Sequence, residues 1–117
     1  MLNEDLSFTA YQVAASDTAI YPEVGTGSIL AIAYCGLGLG EAGEVQGKIK
    51  KILRDNGGVL SQEHVDNVSS ELGDVLWYVA NLASEIGVSL EQIAQGNLDK
   101  LNDRKERGVL GGSGDNR

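Results

Sequence analysis

Cysteine, proline, tryptophan and phenylalanine occur once each in this chain of 117 residues. The single cysteine, Cys35, allows no intrachain disulfide, and we expect it to be a buried structural thiol because it lies in an apolar segment. No hydrophobic run is long enough to span a bilayer, and no stretch resembles a signal peptide. The sequence therefore predicts a cytoplasmic protein.

Positive charge is also scarce, since 9 Lys and Arg face 17 Asp and Glu for a net charge of −8. Affinity for DNA or RNA comes largely from Lys and Arg that neutralise backbone phosphates, so a nucleic-acid polymer is disfavoured as a partner. A small phosphorylated ligand stays compatible with this charge, because a divalent cation can bridge acidic side chains to phosphate.

No segment alternates convincingly with the period of two that marks a strand, whereas apolar residues recur at helical spacing through most of the chain. The sequence predicts an all-α fold, an antiparallel bundle of about four helices in one domain over residues 1–108, with a flexible glycine-rich tail over 109–117. We expect the helices to run from Ser7 to just before Pro22, from Ile29 after a Ser28 cap to about Leu53, from Val65 to Ile86, and from a Ser89 cap to near Gly108.

Two pairs of acids carry the functional signal. Glu41 and Glu44 lie on the second predicted helix, and Glu71 and Asp74 lie on the third, each pair three residues apart and at the edge of an apolar face. If the helices pack antiparallel, four carboxylates converge, and such a cluster is repulsive without cations. The set lacks the ligands of softer metals, because His64 is the sole histidine, so hard divalent cations such as Mg²⁺ fit it best.

A structural interpretation stands beside this one. Exposed acids at this spacing are common on helices, and Glu44 with Lys48 has the spacing of an ordinary ion pair. Four glycines on one face of the second helix either let another helix approach closely or give a substrate access; they are Gly36, Gly40, Gly43 and Gly47. On the fourth helix Asn97 falls on the predicted inner face, with Lys100 and Arg104 at its edge. These three would pair with the acids or bind phosphate oxygens.

The sequence resembles the MazG-like branch of the all-α nucleoside triphosphate pyrophosphohydrolases. The segments that carry the resemblance are "TAIYPE", "GLGLGEAGEVQGKIKK", "ELGDVLWYVANLASEIGVSLEQIAQGNLDKLNDRKERG" and "GSGDNR". It implies an Mg²⁺-dependent hydrolase, with Mn²⁺ as a substitute, that splits a nucleoside triphosphate into the monophosphate and pyrophosphate. It also implies a homodimer or a dimer of dimers, in which a neighbouring subunit completes the site.

The resemblance assigns roles to particular residues. The metal ligands would be Glu41, Glu44, Glu71 and Asp74, with Glu44 or Glu71 as the catalytic base. The phosphate-binding residues would be Lys48, Lys51, Lys100, Arg104 and, in a tail folded over the substrate, Arg117. The other substrate contacts would be Asn97, Tyr78, Asn81 and Trp77, although Trp77 is at least as well explained as a core residue.

Two other classes of protein remain open from the sequence. A non-catalytic helical module that binds a regulatory partner would keep the fold and tolerate substitution of the acids. A metal-storage or metal-sensing bundle would bind the cation without turning over a nucleotide.

Overall fold

The computed structural model describes residues 5–55, 57–112 and 114, and every regular element within these ranges is helical. The α-helices are α1 (Phe8–Asp17), α2 (Ile29–Gly38), α3 (Ala42–Asp55), α4 (Gln62–Glu85) and α5 (Leu90–Glu106). A 3₁₀ turn, Leu39–Glu41, joins α2 to α3. The predicted all-α fold is confirmed. None of the helices in the described part of the chain is both long and apolar enough to cross a membrane.

Serine side chains begin four of the helices, because a serine oxygen can accept a bond from one of the free N–H groups of the first turn. Ser7, Ser28 and Ser89 cap α1, α2 and α5 as predicted. Ser61 caps α4 and exchanges hydrogen bonds with His64 in a capping box. The third predicted helix therefore begins a few residues before its first apolar position.

The second predicted helix covers the expected range but is interrupted. The 3₁₀ turn at Leu39–Glu41 separates α2 from α3 within a segment that also holds Gly38 and Gly40. Glycine is costly inside an α-helix, and a short 3₁₀ turn is a common form of such an interruption. As a result, Glu41 ends the turn whereas Glu44 lies in the first turn of α3.

Helix α4 is the centre of the fold. It contacts α1, α2, α3 and the 3₁₀ turn, and its C-terminal end also contacts α5. Helix α5 packs on α1 as well, but within the described residues it makes no contact with α3. Helix α5, which corresponds to the fourth predicted helix, therefore does not cover the acidic side of α3 and α4 within a single chain.

The fully buried core of one chain consists mainly of small side chains. Its two clusters centre on Ala15, Ala80 and Leu90 and on Tyr21, Ala31 and Cys35. The predicted buried thiol of Cys35 is confirmed, and burial raises its pKa. Several larger apolar residues are exposed instead, among them Leu72 at 54%, Leu76 at 38% and Ile93 at 39%. A large apolar surface is thus left uncovered.

A buried carboxylate holds the connection between α1 and α2 on the end of α4. Glu85 is 6% exposed and accepts hydrogen bonds from the Tyr21 hydroxyl and from the backbone N–H groups of Gly25 and Gly27, the latter two at 2.9 Å. Both glycines have positive φ angles, 80° and 67°, which favour residues without a Cβ. Burial acts to raise the pKa of Glu85, but the three hydrogen bonds outweigh it and hold the pKa below its ordinary value of 4.5.

This lowered pKa predicts a stability difference that depends on pH. A carboxyl group with a lower pKa in the folded state stabilises the fold above its unfolded pKa and loses that contribution as the pH falls through the folded pKa. We expect Glu85→Gln to unfold more easily than the native chain at pH 7, by about 1–3 kcal/mol. The difference should shrink below about pH 4.5. Urea denaturation at pH 7, 5 and 3.5 measures it, and a difference that stays constant with pH would contradict the assignment.

Candidate functional site

Three acidic side chains meet where the 3₁₀ turn crosses α4. Glu41, Glu71 and Asp74 each offer a carboxylate oxygen, and these oxygens lie within 4.8 Å of one another. We call these three residues the acid group. Glu71 and Asp74 sit one turn apart on α4, and the turn brings Glu41 against them. The predicted convergence of acids from two chain segments is therefore present for three of the four residues.

The acid group fits a hard divalent cation. One oxygen of Glu71, Oε2, is buried and has no hydrogen-bond partner among the described residues. An unpartnered buried carboxylate oxygen is costly, and a cation is a natural partner for it. The other oxygen, Oε1, lies 3.8 Å from the Lys48 ammonium group. All donors are oxygens, which suits Mg²⁺ or Mn²⁺ better than softer metals.

Glu44 is placed apart from the acid group. It is exposed and is not among the three residues whose oxygens converge. The predicted convergence assumed a regular α-helix through both Glu41 and Glu44, and the 3₁₀ turn ending at Glu41 breaks that regularity. Its role as a ligand or base remains a prediction.

Aromatic residues border one side of the acid group. Trp77 and Tyr78 line a cavity of about 270 Å³ together with Glu41 and Asp74. Burial is the main cause that raises the pKa of the Tyr78 hydroxyl, with smaller contributions from Tyr34 and Glu41. The hydroxyl is therefore a neutral donor at pH 7, next to the acids and within a concave surface that a planar ring could enter.

The Tyr78 ring occupies space that only a glycine leaves free. A Cβ added at Gly38 would overlap this ring. Gly38→Ala should therefore displace Tyr78 and destabilise the fold by about 1–3 kcal/mol, partly offset by the better helix propensity of alanine. Gly36→Ala in the same helix is the matched control, because a Cβ there meets nothing within 4 Å and should be neutral or stabilising. Thermal unfolding of both variants compares them, and equal melting temperatures would contradict the steric account.

Trp77 is partly buried and Asn81 is fully buried. Trp77 packs against both core clusters, and its indole N–H donates to the Thr18 hydroxyl at 2.8 Å. Asn81 is 1% exposed, and its amide donates to the Trp77 carbonyl at 3.1 Å. The core interpretation of Trp77 is thus supported, and Asn81 is not among the residues that line the cavity.

Lysines border a second cavity next to the acid group, between α3 and the start of α4. Lys48, Lys51, His64 and Asn67 contribute polar groups to this cavity, which has a volume of about 250 Å³. The acids Asp55 and Glu63 also line it. Lys48 connects the two regions, because its ammonium group faces Glu71. Of the predicted phosphate-binding lysines, Lys48 therefore lies beside the acid group, and Lys51 lines the same cavity.

The predicted substrate-binding residues of α5 are placed differently. Asn97 and Lys100 are exposed on a helix that does not contact α3, whereas Arg104 is buried at 4% exposure and donates to the Gly114 carbonyl at 3.3 Å. The predicted inner position of Asn97 is not observed in a single chain. Arg117 lies outside the described residues.

The glycine face of α2 and α3 is open within one chain. A Cβ at Gly36, Gly40, Gly43 or Gly47 would meet no atom within 4 Å among the described residues. Close packing of another helix of the same chain against this face is therefore not observed. The glycine face therefore leaves room for a second subunit or for a ligand.

Three features of this region were not predicted from the sequence. They are the clearance at Gly38, the Tyr34 ring beside Tyr78, and the buried carboxylate of Glu85. Each depends on a contact between residues far apart in the chain, so no local pattern announces it. The recurring aromatic positions at Tyr34, Trp77 and Tyr78 are the one signal that could have suggested an aromatic cluster.

Comparison with known proteins agrees with the all-α architecture. The model of the MazG nucleotide pyrophosphohydrolase domain matches residues 34–109, well over half of the chain. The chain belongs to the MazG family. This membership suggests nucleotide pyrophosphohydrolase activity, and enzymes of the family are usually metal-dependent.

A close relative extends the similarity to almost the whole chain. The chain is 58% identical over 109 residues to the Gene 37 protein of Mycobacterium phage L5, covering 92% of this chain and 96% of that protein. The name of that protein states no activity. No solved structure matches the chain.

Proposed function

We propose that this protein hydrolyses nucleoside or deoxynucleoside triphosphates to the monophosphate and pyrophosphate, with Mg²⁺ as cofactor and Mn²⁺ as a substitute. The observation that carries the proposal is the acid group, in which three carboxylates converge and one oxygen of Glu71 is buried without a partner. A chain of the MazG family with this donor set is best explained as a metal-dependent nucleotide hydrolase.

The acids would divide into ligands and a base. Glu71 or Glu44 would accept the proton of the water that attacks phosphorus, and the other three acids would hold the cation. When bound, the cation would neutralise the triphosphate and stabilise the charge of the departing pyrophosphate. We include Glu44 because it lies one turn from Glu41 and its exposed side chain is free to turn toward a bound ligand.

The two cavities suggest how the nucleotide lies. Lys48 and Lys51 would bind phosphate oxygens on one side of the acid group, and ammonium groups are suited to that role. Trp77 and Tyr78 would border the nucleobase on the other side, where a planar ring can stack or meet an aromatic edge. Asn81 would support Trp77 from behind through its bond to the Trp77 carbonyl.

A homodimer or a dimer of dimers would complete the site. The chain exposes 8181 Å², whereas a compact monomer of this mass exposes about 6,100 Å². Its radius of gyration is 17.0 Å, against about 13 Å for a compact domain of this length. The surplus of roughly 2,000 Å² exceeds the area that one partner contributes to a typical stable interface.

Association would also supply the polar and basic residues of α5 that one chain keeps away from its own acid group. Helix α5 does not contact α3, so Asn97 and Lys100 would reach the triphosphate from the partner subunit. Arg104 would act in the same way or stabilise the end of its own chain, as its bond to Gly114 suggests. Arg117 would close over the substrate.

The proposal is tested by measuring pyrophosphate release from a panel of standard and modified nucleoside and deoxynucleoside triphosphates. We expect turnover that requires Mg²⁺ and disappears when EDTA is added. A folded, metal-replete protein that releases no pyrophosphate from any nucleotide would refute the proposal and favour the partner-binding module. Calorimetric binding of Mg²⁺ without nucleotide turnover would favour a metal-storage or metal-sensing protein.

A further inference from the structure

Glu85 has no role in the proposed chemistry, yet it is among the most buried charged side chains described. It is 6% exposed and receives three hydrogen bonds, from Tyr21, Gly25 and Gly27. Burying a carboxylate is costly, and an apolar group of similar volume is often as stable or more so. In this fold the three hydrogen bonds offset that cost, and one of them also fixes the hydroxyl of Tyr21.

Tyr21, which donates its hydroxyl to Glu85, supports two aromatic neighbours with its ring. The ring is stacked on Tyr34, with centroids 5.1 Å apart and planes at 19°. Its other contact is edge to face with Trp77, with centroids 6.3 Å apart and planes at 89°. Tyr21 is 6% exposed, and its ring is packed against Tyr34 and Trp77. The hydrogen bond to Glu85 adds a fixed point at the hydroxyl end of this ring.

The two neighbours of Tyr21 both contact Tyr78. The Tyr34 and Tyr78 centroids are 6.5 Å apart, and those of Trp77 and Tyr78 are 5.1 Å apart. Tyr78 in turn borders the cavity that Glu41 and Asp74 line. A continuous series of contacts thus leads from Glu85 through Tyr21 to the aromatic side of the acid group.

We infer that Glu85 and Tyr21 are positioning residues that fix the aromatic wall of Trp77 and Tyr78 beside the acid group. The inference rests on the proposed function, because it takes this wall to contact the nucleotide. Hydrogen bonds define a ring position more sharply than apolar packing does, and a misplacement of about 1 Å in a site can cost 10²-fold in rate. The buried carboxylate is the anchor that gives the wall a single position.

The test compares the kinetics of Tyr21→Phe and Glu85→Gln with those of the native protein. Tyr21→Phe keeps the ring and removes the hydroxyl, with its bond to Glu85 and its contact with the Cys35 thiol. We expect the KM for the nucleotide to rise about tenfold, a part of what a stacked base contributes to binding. The Mg²⁺ concentration for half-maximal rate should not change, because the wall holds no metal ligand. A merely structural role would lower the melting temperature and leave the KM of the folded protein unchanged.

A double-mutant cycle shows whether Tyr21 acts through the wall. In a Tyr78→Ala background, Tyr21→Phe should have a smaller effect on the KM than in the native protein, because one of the two residues that it positions is gone. Glu91→Gln is the matched control: Glu91 also accepts a hydroxyl across two helices, from Thr9 at 3.1 Å, but it is exposed. The KM of the Glu91→Gln variant should equal that of the native protein. Trp77 is the only tryptophan, so its emission spectrum should shift in Tyr21→Phe and not in Glu91→Gln.

The outcomes separate this inference from the proposed function. No turnover by the native protein would overturn the proposed function and this inference with it. Turnover by the native protein, with an unchanged KM in folded Tyr21→Phe, would overturn the inference alone. If Glu85→Gln does not fold, Tyr21→Phe decides the question, since it removes a single hydroxyl.

Discussion

Glu71→Gln should abolish most of the Mg²⁺-dependent pyrophosphate release while making the metal-free protein more stable. The substitution removes a carboxylate that we propose as ligand or base, and losing such a group costs about 10² to 10⁴ in rate. In the metal-free protein it also removes a charge that lies within 4.8 Å of two others. Relief of that repulsion should outweigh the lost ion pair with Lys48 at 3.8 Å and raise the free energy of unfolding by roughly 1–2 kcal/mol.

The opposite signs of these two effects make the experiment decisive. A residue needed only for folding would lose activity and stability together. Asp66→Asn is the matched control, because Asp66 is an exposed acid on the same helix, bonded to Gln62 at 2.9 Å and outside the acid group. Asp66→Asn should change neither the rate of pyrophosphate release nor the free energy of unfolding appreciably. Chemical denaturation with and without Mg²⁺, alongside the rate, measures both, and full activity in folded Glu71→Gln would contradict the assignment.

Mixing two inactive variants should restore activity if a partner subunit completes the site. We expect Lys100→Ala to lose about 10- to 100-fold in kcat/KM, the effect of one charged hydrogen bond to phosphate. In a dimer of Glu71→Gln and Lys100→Ala chains, one site combines the native Glu71 of one chain with the native Lys100 of the other. Random mixing of equal amounts makes half of the dimers mixed, and one of the two sites in each mixed dimer is native. The mixture should therefore recover about one quarter of native activity.

The control for this complementation is a mixture of Glu71→Gln with Asp74→Asn. Both residues belong to the acid group of a single chain, so every site in the mixed dimer keeps one defect and activity should not return. Co-expression with two different affinity tags confirms that the chains exchange. If the Lys100 mixture forms mixed dimers and stays inactive, Lys100 does not act across the interface.

Local signals in the sequence were enough to predict the helices and most of the acid group. Ser7, Ser28 and Ser89 marked helix starts because capping depends on residues only three positions apart. The acids Glu71 and Asp74 converge as predicted because both lie on an uninterrupted helix.

The features that the sequence did not predict depend on geometry between distant residues. The 3₁₀ turn at Leu39–Glu41 separates Glu44 from the acid group, and a glycine-rich helix gives no local sign of where it will break. The outward position of α5 could not be foreseen either. Its inner face was expected to pack within one chain, whereas Ile93 is 39% exposed and Asn97 is also exposed. Periodicity shows which face of a helix is apolar but not which chain covers it.

The most direct test of the central claim is to identify the products by ³¹P NMR after incubating the native protein with a nucleoside triphosphate and Mg²⁺. We predict resonances of the nucleoside monophosphate and pyrophosphate, formed in equal amounts and absent when EDTA is present. Reaction in ¹⁸O-labelled water would show, from the label in one product or the other, which phosphorus is attacked. Release of orthophosphate with the nucleoside diphosphate, or formation of pyrophosphate that persists in EDTA, would contradict a metal-dependent pyrophosphohydrolase built on the acid group.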